Sequence, residues 1–343
     1  MRLQRCCFWR IHKTTPPQNA STNQTPRQKI LKPTNLNPVM KPLSFALLAA
    51  AAACGLASAE TAYTTPVGYV QLGDTTPGQP SVKGQSDVLL TVPLDRPTAF
   101  AGLIQSVTNG NEINLQGTPG FTGGQWTGVP HVVKVTSGAK DGFYALVSSH
   151  DADTLVVTLP PGQNLTSVAA GDEVSVLPAW TAKTLFSGSS LPADTELYQY
   201  SGASPGINIA SDFLYVWDGT DWIDGVSGDP VDPVIYPGEL FVIRNVGAAP
   251  IPSITVTGQV PSSSFTNVVT NFGAGQQDLP FGVFASADQT IAEAGLTAIA
   301  QPDDELNLYD NGSTGFNKAA STVFVFDGTD WLDAVSGDPV PPT

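Results

Sequence analysis

Val216–Val231 reads V-W-D-G-T-D-W-I-D-G-V-S-G-D-P-V, and Val325–Val340 reads V-F-D-G-T-D-W-L-D-A-V-S-G-D-P-V. Thirteen of these 16 positions are identical at a fixed offset of 109 (325 − 216). The register extends upstream without a gap. Glu196-Leu197 matches Glu305-Leu306, Tyr200 matches Tyr309, and Gly206 and Asn208 match Gly315 and Asn317. A period this long indicates a duplicated domain-sized unit rather than a solenoid of short repeats. Within each copy, Asp-Gly supplies a tight turn and the flanking aromatic residues are spaced to pair across two strands, so each block is expected to be a β-hairpin.

Outward from the repeat, short apolar runs such as Val88-Leu89-Leu90-Thr91-Val92 and Thr154-Leu155-Val156-Val157-Thr158-Leu159 are broken by Gly, Pro, Asn and Asp about every ten residues. β-Branched and aromatic residues dominate these runs, and Pro93, Pro97, Pro160 and Pro161 punctuate their ends, because proline cannot donate to a ladder. The pattern predicts an all-β fold. Residues 60–180 form an N-terminal β-barrel or sandwich domain unrelated to the repeat. Residues 181–278 form β repeat unit 1, and 279–343 form unit 2. Ile291–Ile299 offers one or two turns of helix. Unit 1 continues through Tyr236-Pro237-Gly238-Glu239 to Phe241-Val242-Ile243-Arg244, whose counterpart in unit 2 would fall beyond Thr343. The second copy is therefore expected to be truncated, since an unpaired sheet edge invites aggregation.

Charge is unevenly placed. Residues 1–59 hold eight of the 15 basic residues and no acidic ones, which leaves the remainder at −23 (7 − 30). Such a surface repels phosphate and excludes nucleic acid as a partner, while favouring cations. All three cysteines lie in the same first segment, so the rest has neither a disulfide nor a Cys-ligated metal. Its two histidines, His131 and His150, are too few for a His-rich zinc site. Met40-Lys41, the apolar run Leu43 to Ala53, and Ala57-Ser58-Ala59 read as a signal peptide over 40–59 cleaved before Glu60. The run is too short to span a bilayer, which needs about 20 residues. Residues 1–39 then read as an over-extended gene start. Acylation at Cys54 is the rival, although Ala51-Ala52-Ala53 lacks the usual leucine. An exported location follows: periplasm, cell surface or extracellular space.

Several of these segments resemble a family of exported β-rich proteins without established activity, numerous in Verrucomicrobia and related bacteria. The resemblance is carried by Thr65-Pro66-Val67-Gly68-Tyr69-Val70, Pro93-Leu94-Asp95-Arg96-Pro97, the D-G-x-x-W-x-D hairpins, and Tyr236-Pro237-Gly238-Glu239 leading to Phe241-Val242-Ile243-Arg244. It implies class and export, and no mechanism. Members of that family repeat the arginine strand near their C-terminus.

Three chemistries suit the repeated hairpins. Asp218, Asp221, Asp224 and Asp229, with Asp327, Asp330, Asp333 and Asp338, are candidate calcium ligands, since calcium takes six to eight oxygens. Trp222 and Trp331 are candidate platforms for stacking a polysaccharide sugar. Paired carboxylates also invite a carbohydrate-active enzyme, but here they sit in turns and recur in both copies, whereas an active site is single. Gly202-Ala203-Ser204-Pro205-Gly206 matches G-x-S-x-G only formally, because Pro205 has no N–H for an oxyanion hole. Ser148-Ser149-His150-Asp151 is read as a turn between strands. The expected function is thus a non-enzymatic surface, envelope or matrix component, calcium-stabilised, with a glycan-binding protein as the alternative.

Overall fold

The computed structural model describes residues 7–11, 66–126, 128–200, 206–268, 275–285 and 289–340. The expected signal peptide, Cys54 and the Ala57-Ser58-Ala59 site lie outside the described residues. The fold is all-β, as the turn-punctuated pattern dictates. Among the described residues no helix is long and apolar enough to cross a membrane.

A short strand β1 (Cys7–Ile11) comes first, followed by β2 (Val67–Leu72) and β3 (Ser86–Leu90). Next come β4 (Phe100–Thr108), β5 (Glu112–Leu115), β6 (His131–Val135), β7 (Tyr144–His150), β8 (Thr154–Thr158) and β9 (Glu173–Pro178). These six strands close into an antiparallel barrel in the order β4-β5-β8-β7-β6-β9. Ile104, Ile113, Leu155, Val174 and Val176 fill its interior, so the barrel is a packed core. Asn109 and Gly110, with φ of 54° and 78°, make the primed turn between β4 and β5 whose twist suits a hairpin.

The first repeat contains β10 (Trp180–Thr181), the one-turn helix α1 (Ala182–Leu185), β11 (Thr195–Gln199), β12 (Phe213–Trp217) and β13 (Trp222–Asp224). It continues through β14 (Val234–Ile235), β15 (Phe241–Asn245) and β16 (Ile254–Gln259). Its main sheet runs β13-β12-β11-β15-β3, and a β16-β2 pair accompanies it. Val88, Leu90, Leu197, Trp222 and Ile243 from the main sheet share one core with Leu72, Ile254 and Val256 from the pair. The second repeat contains β17 (Gln277–Phe281), β18 (Glu305–Leu308), β19 (Thr322–Phe326) and β20 (Trp331–Asp333). Its sheet runs β17-β1-β18-β19-β20.

This topology moves the boundary expected at residue 180. β2 and β3 pair with β16 and β15, so they belong to the sheets of the first repeat, and the barrel is inserted within that repeat. The duplication also reaches further upstream than the hairpin offset reveals. Gly84-Gln85-Ser86-Asp87-Val88-Leu89-Leu90-Thr91-Val92 corresponds to Gly275-Gln276-Gln277-Asp278-Leu279-Pro280-Phe281-Gly282-Val283, at an offset of 191 (278 − 87). The insertion accounts for the difference between the two offsets. The expected helix at Ile291–Ile299 is a turn followed by a 3-10 helix over Leu296–Ala298. Its entry is closed by a Thr290–Glu293 capping box, and α1 is closed the same way by Thr181 and Thr184, the equivalent positions of the first repeat.

Two sets of polar contacts hold these parts in place. At the barrel, Asp95 accepts from Lys134 Nζ at 3.0 Å and from the Tyr144 hydroxyl at 3.1 Å, all three residues being buried. Arg96 lies over the Trp180 ring, and Trp180 Nε1 donates to Leu94 O at 2.8 Å. The segment Pro93–Pro97 thus fastens both the entry to the barrel and the exit from it.

Between the repeats the contacts are reciprocal. Asp87 N donates to Gly315 O at 3.0 Å and Asn317 N donates to Asp87 Oδ2 at 2.7 Å. In the mirrored arrangement, Asp278 N donates to Gly206 O at 2.7 Å and Asn208 N donates to Asp278 Oδ2 at 2.6 Å. Arg244 adds a two-pronged grip on Asp87 at 2.7 and 3.0 Å and donates to Asn317 Oδ1 at 2.8 Å. Removing that guanidinium leaves the Asp87 carboxylate buried without its counter-charge. Arg244→Ala is therefore expected to cost about 3 kcal/mol in urea unfolding. Arg244→Lys should recover only part of this, because an ammonium cannot make the fork. A loss for Arg244→Ala below about 0.5 kcal/mol would show the pair to be dispensable.

Candidate functional site

The structure gives the repeated aspartates work within their own turns. Asp218 accepts from Thr220 N and Asp221 N, both at 2.7 Å, and Asp327 accepts from Thr329 N and Asp330 N, both at 2.8 Å. Asp224 and Asp333 do the same for the next turn, each accepting two N–H groups at 2.8–2.9 Å. These backbone donors favour the charged form and hold all four carboxyls below the usual aspartate value. Asp221 pairs with the exposed Lys183 at 2.6 Å, while Asp229 and Asp338 return backbone carbonyls to Asp224 and Asp333. Among the described residues no three His, Cys, Asp or Glu side chains converge as a metal ion would need.

Trp222 and Trp331 are core residues. They are 1% and 5% exposed, and they pair in register with Trp217 and Phe326 at ring separations of 5.7 and 5.3 Å. The hairpin expectation holds, but neither indole offers a face to a sugar. Trp331 Nε1 donates to Thr297 Oγ1, whereas Trp222 Nε1 is buried with no partner among the described residues. The position in the first repeat that corresponds to Thr297 is Gly188, which has no hydroxyl to offer.

The concave site lies elsewhere. An apolar cleft of about 660 Å3 opens where the barrel meets the first repeat and β17. Tyr144 and Pro160-Pro161 come from the barrel side, Gln199, Phe213 and Tyr215 from β11 and β12, and Leu279 to Phe281 from β17. Phe265, packed between Tyr144 and Phe284, forms one wall. Phe213 and Tyr215 project from the same face of β12, with rings nearly parallel at 14° and 6.3 Å apart. Phe213 is 48% exposed and Tyr236 40%, so both offer aromatic surface to a ligand.

The polar part of the cleft is built by Tyr236-Pro237-Gly238-Glu239. Pro237 and Gly238, the latter at φ 71°, suit the central positions of a type II turn, and Glu239 N donates to Tyr236 O at 3.1 Å. Glu239 then folds back, its Oε2 accepting from Tyr236 N and its Oε1 from Gln199 Nε2, both at 2.8 Å. Any side chain at Gly238 would strike the Phe265 ring, so this glycine serves the packing as well as the turn. Glu239 keeps part of its surface open to the cleft but is otherwise enclosed by protein. Burial pushes its carboxyl up to about 8, and the two hydrogen bonds oppose that rise. It is the one carboxyl among the described lining residues.

None of the residues first singled out in the hairpins lines this cleft. Its parts come from segments distant in sequence, and of these only the Tyr236–Glu239 turn carried a legible signal. Comparison with family models, curated proteins and solved structures gives no match to this chain.

Because native Glu239 holds its proton where the unfolded chain has lost it, stability should fall as pH rises from about 4.5 to about 8. The slope is bounded at about 1.4 kcal/mol per pH unit and reduced by water in the cleft. His131 has its pKa lowered by burial, so it contributes a rise in stability up to about 6.5. The window between 6.5 and 8 therefore isolates the glutamate. Urea unfolding across that window should show a decline that Glu239→Gln abolishes, and a decline of equal slope in the variant would place its origin elsewhere.

Melts in EDTA and in excess calcium test these turns as cation sites, and one shared midpoint is expected if the carboxylates serve turn closure alone. A cation present at about 100 times its dissociation constant would add roughly 2.7 kcal/mol. A rise of that size, lost in Asp221→Asn with Asp330→Asn, would put a cation on these turns.

Proposed function

We propose that this chain is an exported, non-enzymatic binding component of a cell surface, envelope or extracellular matrix, and that its aromatic cleft holds a neutral glycan. The observation carrying this reading is the pairing of the exposed faces of Phe213 and Tyr236 with the Gln199 and Glu239 side chains beneath them. Aromatic faces accept the apolar faces of sugar rings, and a few fixed polar groups orient the hydroxyls. A net charge of −15 over the whole chain disfavours polyanionic polysaccharides and leaves neutral ones. Binding without turnover fits a cleft with a single carboxyl among its described lining residues, because glycoside hydrolysis usually takes two flanking the bond.

Retardation in gels cast with neutral polysaccharides, followed by titration of the retarding polymer, tests the reading. Phe213→Ala and Tyr236→Ala are each expected to weaken binding about tenfold, in line with the upper end of about 1.5 kcal/mol for an aromatic contact. Both side chains are partly exposed, so folding should survive. Retardation unchanged in both variants would remove the cleft as the glycan site.

A further inference from the structure

The sheet of the second repeat is completed by a strand from residues 7–11, far from that repeat in sequence. In the first repeat, β15 lies between β3 and β11, and Arg244 is in register with Asp87 on one side and Glu196 on the other. In the second repeat, β1 lies between β17 and β18, and Arg10 is in register with Asp278 and Glu305. Asp278 corresponds to Asp87, and Glu305 corresponds to Glu196. Arg10 therefore takes the position of Arg244, and Cys7-Phe8-Trp9 take those of Phe241-Val242-Ile243.

These two segments share little beyond a pattern of three apolar residues followed by arginine, yet they adopt one register on both neighbours. A one-residue slip would turn every side chain to the opposite face, so register is a stringent readout of what a slot accepts. The inward residues of the second slot, Leu279, Phe281, Leu306 and Leu308, belong to the core of that repeat. Its acidic positions, Asp278 and Glu305, fall where the arginine arrives.

β1 also lies on the far side of the Ala57-Ser58-Ala59 site from the rest of the fold. Cleavage there would separate it from the chain that carries the slot, leaving two strand edges able to pair with another segment. We propose that the β17–β18 slot is a strand-acceptor site, which takes an extended peptide segment of the pattern apolar-apolar-apolar-Arg in place of β1. Main-chain hydrogen bonds to both edges supply affinity, and the acidic pair selects the arginine.

The full chain, carrying a protease site within residues 15–65 and cut after folding, tests this. The labelled N-terminal fragment is then held only by the slot. The peptide Leu-Phe-Val-Ile-Arg-Asn, the sequence of residues 240–245, should release the fragment at about a tenfold lower concentration than the same peptide with glutamate replacing arginine. Glu305→Gln should narrow that ratio. Equal release by both peptides, or release by neither, overturns the proposal. If the fragment leaves on cutting alone, the arginine peptide should raise the melting midpoint of the cut protein and the glutamate peptide should not. No rise with the arginine peptide equally overturns it.

Discussion

The arrangement of this molecule depends on two buried aspartates and the loops that close on them. Asp87 and Asp278 each donate a backbone N–H to a glycine carbonyl of the other repeat and each accept an asparagine N–H through the side chain. The loops can do this because Gly206 and Gly315 take φ of 117° and 112°, while Asn208 and Asn317 take 53° and 49°, which turns the chain sharply enough to present N–H and C=O to one residue. The contact is isologous in the sense used for two-fold dimers: what the first repeat does to the second, the second does to the first. Asn311 strengthens one half, its side chain both accepting from and donating to the backbone of Leu89 at 2.9 and 2.8 Å, as a neighbouring strand would. One duplicated unit thus behaves as a dimer within a single chain.

The barrel breaks that symmetry. It enters the first repeat between Pro97 and Trp180 and has no counterpart in the second, so whatever forms against its wall forms once. The buried Asp95–Lys134–Tyr144 group costs desolvation that its mutual hydrogen bonds must offset. What it secures is orientation: a charged linker residue has one place where its charge is met. Tyr144 joins this clasp with its hydroxyl while its ring meets Phe265 and Phe284 near the cleft. Fixing the barrel and shaping the cleft are therefore two uses of one side chain.

Period-two strands, Asp-Gly turns and the hairpin repeat were legible because each rests on residues close in sequence. Trp217 and Trp222 are five positions apart, and their pairing needs only a turn between them. The start of the duplicated unit was not legible, because the insertion displaces Asp87 from the offset that governs the rest of the repeat. Four identities in nine positions at a different spacing carry no weight until β3 and β17 are seen in equivalent places. The cleft was hidden for a related reason. Gln199, Phe213 and Glu239 look like ordinary strand and turn residues, and only the return of β17 and the barrel wall gives them a shared space. Asp218 and Asp224 show a role that sequence leaves open, each accepting two backbone N–H groups of its own turn. A carboxylate that closes a turn and one that binds calcium look alike in sequence, and the difference lies in whether its neighbours converge.

Duplication also predicts where function should be sought. A feature present in both copies is most simply a requirement of the shared fold, and the hairpin aspartates and indoles meet that description. Departures from equivalence are more informative. Trp222 lacks the hydroxyl partner that Trp331 has in Thr297, so the first copy tolerates an indole N–H unmet among the described residues beside its own core. The cleft needs the barrel, which only one copy carries. The strand between the equivalent neighbours is β15 in the first sheet and β1, from residues 7–11, in the second. An internal two-fold duplicates every contact it can. The sites that could distinguish this chain from a bare scaffold are those where the two-fold fails.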